Sequence, residues 1–398
     1  MIIPTDWEVY DFPKTLVKNK VGRDNQINAS EIKSSGKYPI IDQGQDYIAG
    51  YSDDKDKVYE PEQPLVIFGD HTRCFKYVHF PFIIGADGTK ILAPNTTLFN
   101  PKFFYFYLLS LHIPSRGYNR HFKLLKEQRI LRPPIPEQHN IAHILSKIQS
   151  AIEAREKIIQ TTTELKKALM QKLFTEGLKG EPQKETEIGL APESWEIKKL
   201  GDYATLITKG ASPKWQGFNY CENGVMFIRS QNIGWGDVIK TGSTYLPETF
   251  NKTQKRSILK ADDVLVNLVG ASIGRVAVAP REFEGANINQ AVALVRVKKE
   301  SYPPKFIMYF LLTDMGQFLI KRQVKAIARG NISLEDVSNF FVPMPTISEQ
   351  EEIVNTLTMI DEKHKFVIAK KQILINLFSS MLHHLMTGQI RVKDLRFS

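Results

Sequence analysis

The sequence predicts an α+β protein built twice: two globular domains, and two long helices packed on each other as an antiparallel coiled coil, the halves forming a pseudo-two-fold tandem repeat. Three observations predict this. Residues 133–177 align without a gap to a stretch 212 positions downstream, with identities at Pro133/Pro345, Ile135/Ile347, Glu137/Glu349, Gln138/Gln350, Ile141/Ile353, Leu145/Leu357 and Ile148/Ile360 among others. In both copies apolar residues recur at alternating spacings of four and three for about five heptads, the stripe of a coiled coil rather than of a surface helix. Ahead of each helix lie short β-like runs broken by Gly, Asp and Pro.

The first domain, 1–132, opens on Pro4-Thr5-Asp6-Trp7-Glu8, which returns as Pro192-Glu193-Ser194-Trp195-Glu196. Leu65–Phe68 and Phe82–Ile84 read as strands, and the aromatic segment Phe103–Leu109 as a late helix. Residues 133–177 form a proline-rich joint and the first long helix. Its stripe is Ile141, Leu145, Ile148, Ile152, Ile159, Leu169 and Leu173, interrupted by Arg155, Thr162 and Lys166. Pro136 suits a first-turn position and Gly177 a stop. The Gly-, Pro-, Lys- and Glu-rich stretch 178–199 reads as a linker.

The second domain, 200–343, has strand-like runs at Val225–Ile228, Asp263–Leu268 and Val292–Val297, then the helix-like Phe306–Leu312. Residues 344–390 repeat the joint and the helix, with the stripe Ile353, Leu357, Ile360, Val367, Leu374, Phe378, Met381 and Leu385, interrupted by His364 and Lys371. Ser348 with Glu351 three residues on predicts a capping box, and Gly388 a stop. Each helix spans roughly 58 Å at 1.5 Å per residue. Packing the two stripes together is the simplest way to bury both. The polar interruptions either fix register or snorkel to solvent, the commoner outcome for Lys and Arg.

A hydrophobic fraction of 42% and a charged fraction of 24% exclude wholesale disorder. No apolar run approaches the ~18–20 residues that span a bilayer, and Met1–Glu8 lacks the pattern of a secretory signal, so no membrane association is expected. Cys74 and Cys221 are the only cysteines, too few for a disulfide framework or a cysteine zinc site, and a reducing cytoplasm is the expected compartment.

Net charge is +10. It concentrates in the domains: +5 over 10–132 and +6 over 201–343, against +2 over 137–175 and −1 over 349–387. That distribution points to a polyanion, most often nucleic acid, bound by the domains. The candidate contacts sit in polar clusters expected to be loops: His71, Arg73, Lys76, Lys90, Arg116, Asn119 and Arg120 in the first domain; Lys209, Ser212, Lys214, Arg229, Gln231, Asn232, Arg275, Asn289, Arg329 and Asn331 in the second. Arg suits guanine edges, Asn and Gln suit adenine, and Lys and Ser suit phosphates. Asn287–Gln290 flanks a strand and could equally hold a turn. No P-loop, G-x-G-x-x-G, HExxH, G-x-S-x-G or amino-methyltransferase signature is present, so no catalytic residue and no metal ligand is assigned.

The ordered repetition of these features resembles the specificity subunits of type I restriction-modification systems. The resemblance rests on Pro133-Pro134-Ile135-Pro136-Glu137-Gln138, Pro343-Met344-Pro345-Thr346-Ile347-Ser348-Glu349-Gln350, the helix ends Lys172–Thr175 and Leu385–Gly388, and Ile188–Glu196. Thr346 departs from the family's usual second proline and is expected to loosen the joint slightly. The resemblance implies a non-catalytic reader of double-stranded DNA with two target recognition domains, 1–132 and 200–343, one for each half of a bipartite, asymmetric site. It implies that the helices act as spacers and dock two methyltransferase subunits, which restriction/translocase subunits join. No cofactor would belong to this chain; S-adenosylmethionine, ATP and Mg would belong to those partners. Two alternatives compete: a self-contained nuclease or methyltransferase, and a coiled-coil scaffold with incidental DNA binding.

Overall fold

A computed structural model describes residues 3–19, 21–85, 88–115, 117, 119–327 and 330–395. The chain divides into two compact units, Met1–Lys157 with Ile368–Ser398, and Ile158–Val367. Both long helices run through both units.

In chain order the first unit holds β1 (Glu8–Asp11), β2 (Tyr38–Ile41), β3 (Gly50–Ser52), β4 (Leu65–Gly69), β5 (Phe75–Val78), β6 (Ile83–Ile84), β7 (Thr89–Leu92), α1 (Pro101–Ser110), α2 (Phe122–Lys126), β8 (Arg129–Arg132) and the start of α3 (Ile135–Glu176). The second holds β9 (Gln183–Thr186), β10 (Gly189–Pro192), β11 (Glu196–Lys199), β12 (Ala204–Lys209), β13 (Val225–Ile228), β14 (Thr244–Leu246), α4 (Thr249–Thr253), β15 (Val264–Asn267), β16 (Val276–Val278), β17 (Asn287–Ile288), β18 (Val292–Val297), α5 (Pro304–Leu312), α6 (Asp314–Ile327), α7 (Leu334–Ser338), β19 (Phe341–Met344) and the start of α8 (Ile347–Met386).

The duplication extends into the domains, where the two sequences barely match. In the first unit β2 pairs antiparallel with β3 and parallel with β6, and β4 lies between β5 and β7, antiparallel to both. In the second, β13 pairs in the same senses with β14 and β17, and β15 lies between β16 and β18. β12 adds a further strand beside β18. The central strands β4 and β15 are buried along their whole length, which is why they read as unbroken apolar runs. α1 and α5 bury Phe103, Phe104 and Phe106, and Phe306, Met308 and Phe310, beneath these sheets.

Each unit packs one half of the helix pair. In the first, Ile141 and Leu145 of α3 share a core with Phe378, Met381, Leu385 and Met386 of α8, so the beginning of one helix lies on the end of the other. In the second, Leu169, Met170, Leu173 and Phe174 meet Ile353 and Leu357, the antiparallel counterpart. Ile148, Ile152, Ile159, Ile360, Leu374 and the polar interruptions Arg155, Lys166, His364 and Lys371 are half-buried, and Thr162 and Val367 are buried. Lys371 pairs with Glu156 at 2.7 Å, and Lys166 pairs with Asp361. These lysines therefore join one helix to the other instead of snorkelling to water. Each ammonium finds its carboxylate on the facing helix.

The joints explain why the two short motifs recur together. The Trp7 indole donates to Glu137 at 3.1 Å, and the Trp195 indole to Glu349 at 3.2 Å. The Gln138 amide donates to Pro133 O, and the Gln350 amide to Pro345 O, each tying a helix start to its own joint. Further bonds reach each carboxylate from the chain just past the opposite helix end: two from Arg391 and one from the Val392 N–H for Glu137, and one from the Leu178 N–H for Glu349. The intervening glycines are required. Gly177 and Gly388 have φ of 67° and 71°, and a Cβ would press on Pro192 in one case and Pro4 in the other, at 3.2 and 2.6 Å.

Three expectations are corrected. Residues 178–199 are not an open linker: β9 and β10 form a hairpin, β11 pairs with β19, and Ile188, Ala191 and Trp195 are buried in the core of the second unit, so the apolar residues outweigh the linker-like composition. Ser348 does not cap α8, which begins one residue earlier. Thr346 takes that place: its hydroxyl accepts the Glu349 N–H at 3.4 Å and its carbonyl the Gln350 N–H at 3.0 Å. The same contacts mean that Thr346 secures the joint rather than loosening it.

Candidate nucleic-acid interface

In the first unit the polar clusters converge where β4 ends. Asp70, buried, donates its N–H to Gly88 O at 2.7 Å and accepts the His121 N–H at 2.8 Å on its carbonyl and the Phe122 N–H at 2.7 Å on its carboxylate. Asp70 thus ties, by backbone and side chain, the 70–73 turn to the start of β7, which carries Lys90 on a strand and not in a loop, and to the segment carrying Arg120. Lys90 reaches to 4.0 Å from the Asp70 carboxylate and lies over the Phe122 ring. The His71 N–H donates to Gln43, and Arg73, at φ 64°, donates to Ile113 O at 2.9 Å. Asn119 and Arg120 are exposed beside them. A groove of about 540 Å³ runs along this edge, lined by Gln45, Tyr47, Thr72, Arg73 and His112 among others.

The second unit repeats the arrangement around Asn267, buried at the end of β15. Its amide donates to Ser230 O at 2.8 Å and its N–H to Arg275 O at 3.0 Å, which joins the Arg229–Asn232 loop to the 270–275 loop. The Asn289 N–H donates to Ile228 O, and its carbonyl accepts the Gly210 N–H at 3.2 Å, which adds the end of β12, where Lys209 sits on the strand and not in a loop, and the turn that carries Ser212 and Lys214. Asn331 bridges Val269. Five stretches far apart in sequence therefore meet at one end of the sheet. Lys209, Lys214, Gln231 and Asn331 are exposed there, while Ser212, Arg229, Arg275 and Asn289 are half-buried.

Not every candidate side chain is available to a ligand. Lys76 lies on β5, not in a loop; it is buried and pairs with Asp42 at 3.2 Å. Asn232 is buried, accepting the Arg229 N–H and donating to Ile239 O, so it builds its loop rather than reading through it. The Asn289 carboxamide accepts the Ala291 N–H at 3.2 Å and holds a turn. Arg116 and Arg329 lie outside the described residues. Lys252, Lys255 and Arg256 were not singled out in the sequence, yet they are exposed beside the Lys209–Gln216 loop, to which the Gln254 amide donates at 3.3 Å. The run Lys-Thr-Gln-Lys-Arg was the available signal.

Against known proteins, a model of the type I restriction modification DNA specificity domain matches residues 16–163 and again 192–377, once for each repeat. The chain belongs to this family. Among relatives in the family, the putative type I restriction enzyme MjaX specificity subunit of Methanocaldococcus jannaschii is 27% identical over 98% of this chain and 95% of its own length. The MjaVIII specificity subunit of the same organism is 29% identical over 69% of this chain, a match that spans 65% of that subunit. The fold is similar to that of the type I restriction-modification S subunit from M. genitalium, with a TM-score of 0.65 at 17% identity over 96% of both chains. A chain solved in a study of complex assembly and conformational transition of the type I system gives a TM-score of 0.54 at 18% identity, covering 98% of this chain and all of that one. No helix among the described residues is long and apolar enough to cross a membrane.

Proposed function

We propose that this chain is the DNA-recognition subunit of a cytoplasmic type I restriction-modification complex, non-catalytic in itself, in which each unit reads one half of a bipartite, asymmetric site. The observation that carries the reading is the convergence, in both units, of basic and amide-bearing loops on a buried polar residue at the end of the central strand. Cations there neutralise phosphates, and Arg, Asn and Gln discriminate base edges. The loops differ between the units, so the half-sites differ. The paired helices serve as the spacer and dock two methyltransferase subunits, which restriction/translocase subunits join. S-adenosylmethionine, ATP and Mg act in those partners. Membership of the specificity family and the absence of a catalytic signature in the sequence support this division of labour.

Selection from a library of random-sequence duplexes tests the reading directly. The full chain should enrich two short, unlike motifs at a fixed spacing, with half-sites about one helical turn apart, roughly 10 bp centre to centre. Enrichment of a single motif, or binding without sequence preference, would contradict it.

A further inference from the structure

Of the four tryptophans, Trp7 and Trp195 are sealed in the joints, whereas Trp215 is 84% exposed, more than any other large apolar side chain among the described residues. It does not sit on a loose loop. Residues 212–218 form a closed turn: the Gln216 N–H donates to Ser212 O and Pro213 O, the Gly217 N–H to Lys214 O at 3.2 Å and the Phe218 N–H to Pro213 O at 2.9 Å. Gly217, at φ 78°, ends the turn in the left-handed region.

The turn is anchored on both sides. Phe218 packs edge-on to Phe250, ring centroids 5.2 Å apart, above Phe227 and Leu246. At the other side the backbone of Gly210 lies so close to Ile288 that a Cβ would fall 1.6 Å from its carbonyl oxygen. The backbone that presents this large aromatic to water is thus fixed, so little backbone freedom is lost on binding.

The surroundings choose the occupant. Lys209 and Lys214 precede the tryptophan in sequence, and the Gln216–Gln254 hydrogen bond ties the turn to the segment that carries Lys252, Lys255 and Arg256. All five cations are exposed, and none is ion-paired among the described residues. Lysine is depleted from protein–protein interfaces, whereas unpaired cations around an aromatic tip match a phosphate backbone with bases beside it. The turn also leaves β12 at the interface already described, where the Gly210 N–H meets Asn289 O.

We propose that Trp215 is a DNA contact of the second unit, its ring stacking on or wedging between bases of that unit's half-site while the surrounding lysines hold the phosphates. This rests on the reading of the chain as a DNA-recognition subunit. Because the ring is exposed, Trp215→Ala should leave the far-ultraviolet dichroism and thermal midpoint of the chain unchanged.

The test titrates the full chain, wild type and variants, with the duplex it selects from a random library, carrying 2-aminopurine in turn at each position of the second half-site. Trp215→Ala should bind roughly tenfold or more weakly, while Trp215→Phe keeps most of the affinity because every base offers a face to stack on. The slope of log affinity against log salt should stay at the wild-type value for Trp215→Ala and fall by about 1 for Lys214→Ala, since only the cation releases a counterion. One 2-aminopurine position should brighten with wild type and not with Trp215→Ala. If the wild type selects a site and Trp215→Ala binds it equally tightly, the role of Trp215 is overturned and the recognition reading stands. Unchanged DNA binding with loss of a protein partner would overturn it too, by making the residue a protein contact. If the wild type selects no sequence, the recognition reading fails and the role of Trp215 falls with it.

Discussion

Glu137 is a buried carboxylate whose partners come from both ends of the chain: the Trp7 indole, the Arg391 guanidinium and the Val392 N–H. Burial pushes its pKa up, and the hydrogen bonds from Arg391, Trp7 and Val392 outweigh that and hold it below the usual carboxylate range. A depressed carboxylate contributes stability above its unfolded pKa and loses it as pH falls through the folded value. Arg391→Ala removes the main compensating partner, so the first unit should lose about 2–3 kcal/mol at pH 7, somewhat less than for a fully buried pair because Arg391 keeps an exposed edge. The difference from wild type should shrink as pH is lowered through the carboxylate range. Urea denaturation at pH 7 and pH 4 measures both effects; equal losses at the two pH values would refute the assignment. At this scale sequence reading is partial. It found the loops, because Gly, Asn, Asp and Arg cluster in them. It misjudged Lys76 and Asn232, because burial of a polar side chain depends on a partner, Asp42 or the Arg229 and Ile239 backbone, that proximity in sequence does not reveal.

At the scale of elements, α3 and α8 were legible because a stripe with a 3.5-residue period has few other meanings. All of its named positions are buried or half-buried. Leu145→Ala should cost about 2–5 kcal/mol, as for other large-to-small changes in a core. Lys166 and Asp361 give a finer test. The pair joins the two helices, and the Tyr309 hydroxyl also donates to Asp361 at 2.8 Å. A double-mutant cycle on Lys166→Met and Asp361→Asn should give a coupling of about 1 kcal/mol, toward the upper end for ion pairs of this exposure. Zero coupling would show that the pair does not hold the register. The hairpin β9–β10 was missed because its few apolar residues are diluted by Lys, Glu and Gly. Their role is visible only against the core they join.

For the molecule as a whole, the charge distribution and the two-fold repeat make one account: the basic excess lies in the two domain segments, 10–132 and 201–343, each of which gathers polar loops at one end of a sheet. The contacts at the joints extend the repeat. Pro4, Trp7, Gly388 and Arg391 meet in the first unit as Gly177, Leu178, Pro192 and Trp195 meet Glu349 in the second. One junction is closed within residues 177–195 and Glu349, and the other brings residues 4–7 against 388–391. The fold class was legible at this scale because duplication writes the same signal twice. The identity of the bases was not, since it depends on loop geometry that the two halves do not share. The central claim is that the two units read DNA independently, and an exchange of recognition regions tests it most directly. Residues 10–132 are replaced by the matching region of a family member with a different site, and the methylated sequence is mapped genome-wide in cells carrying the partner subunits. The account predicts that one half of the bipartite site changes while the other half keeps its sequence. A change in both halves, or in neither, would contradict it.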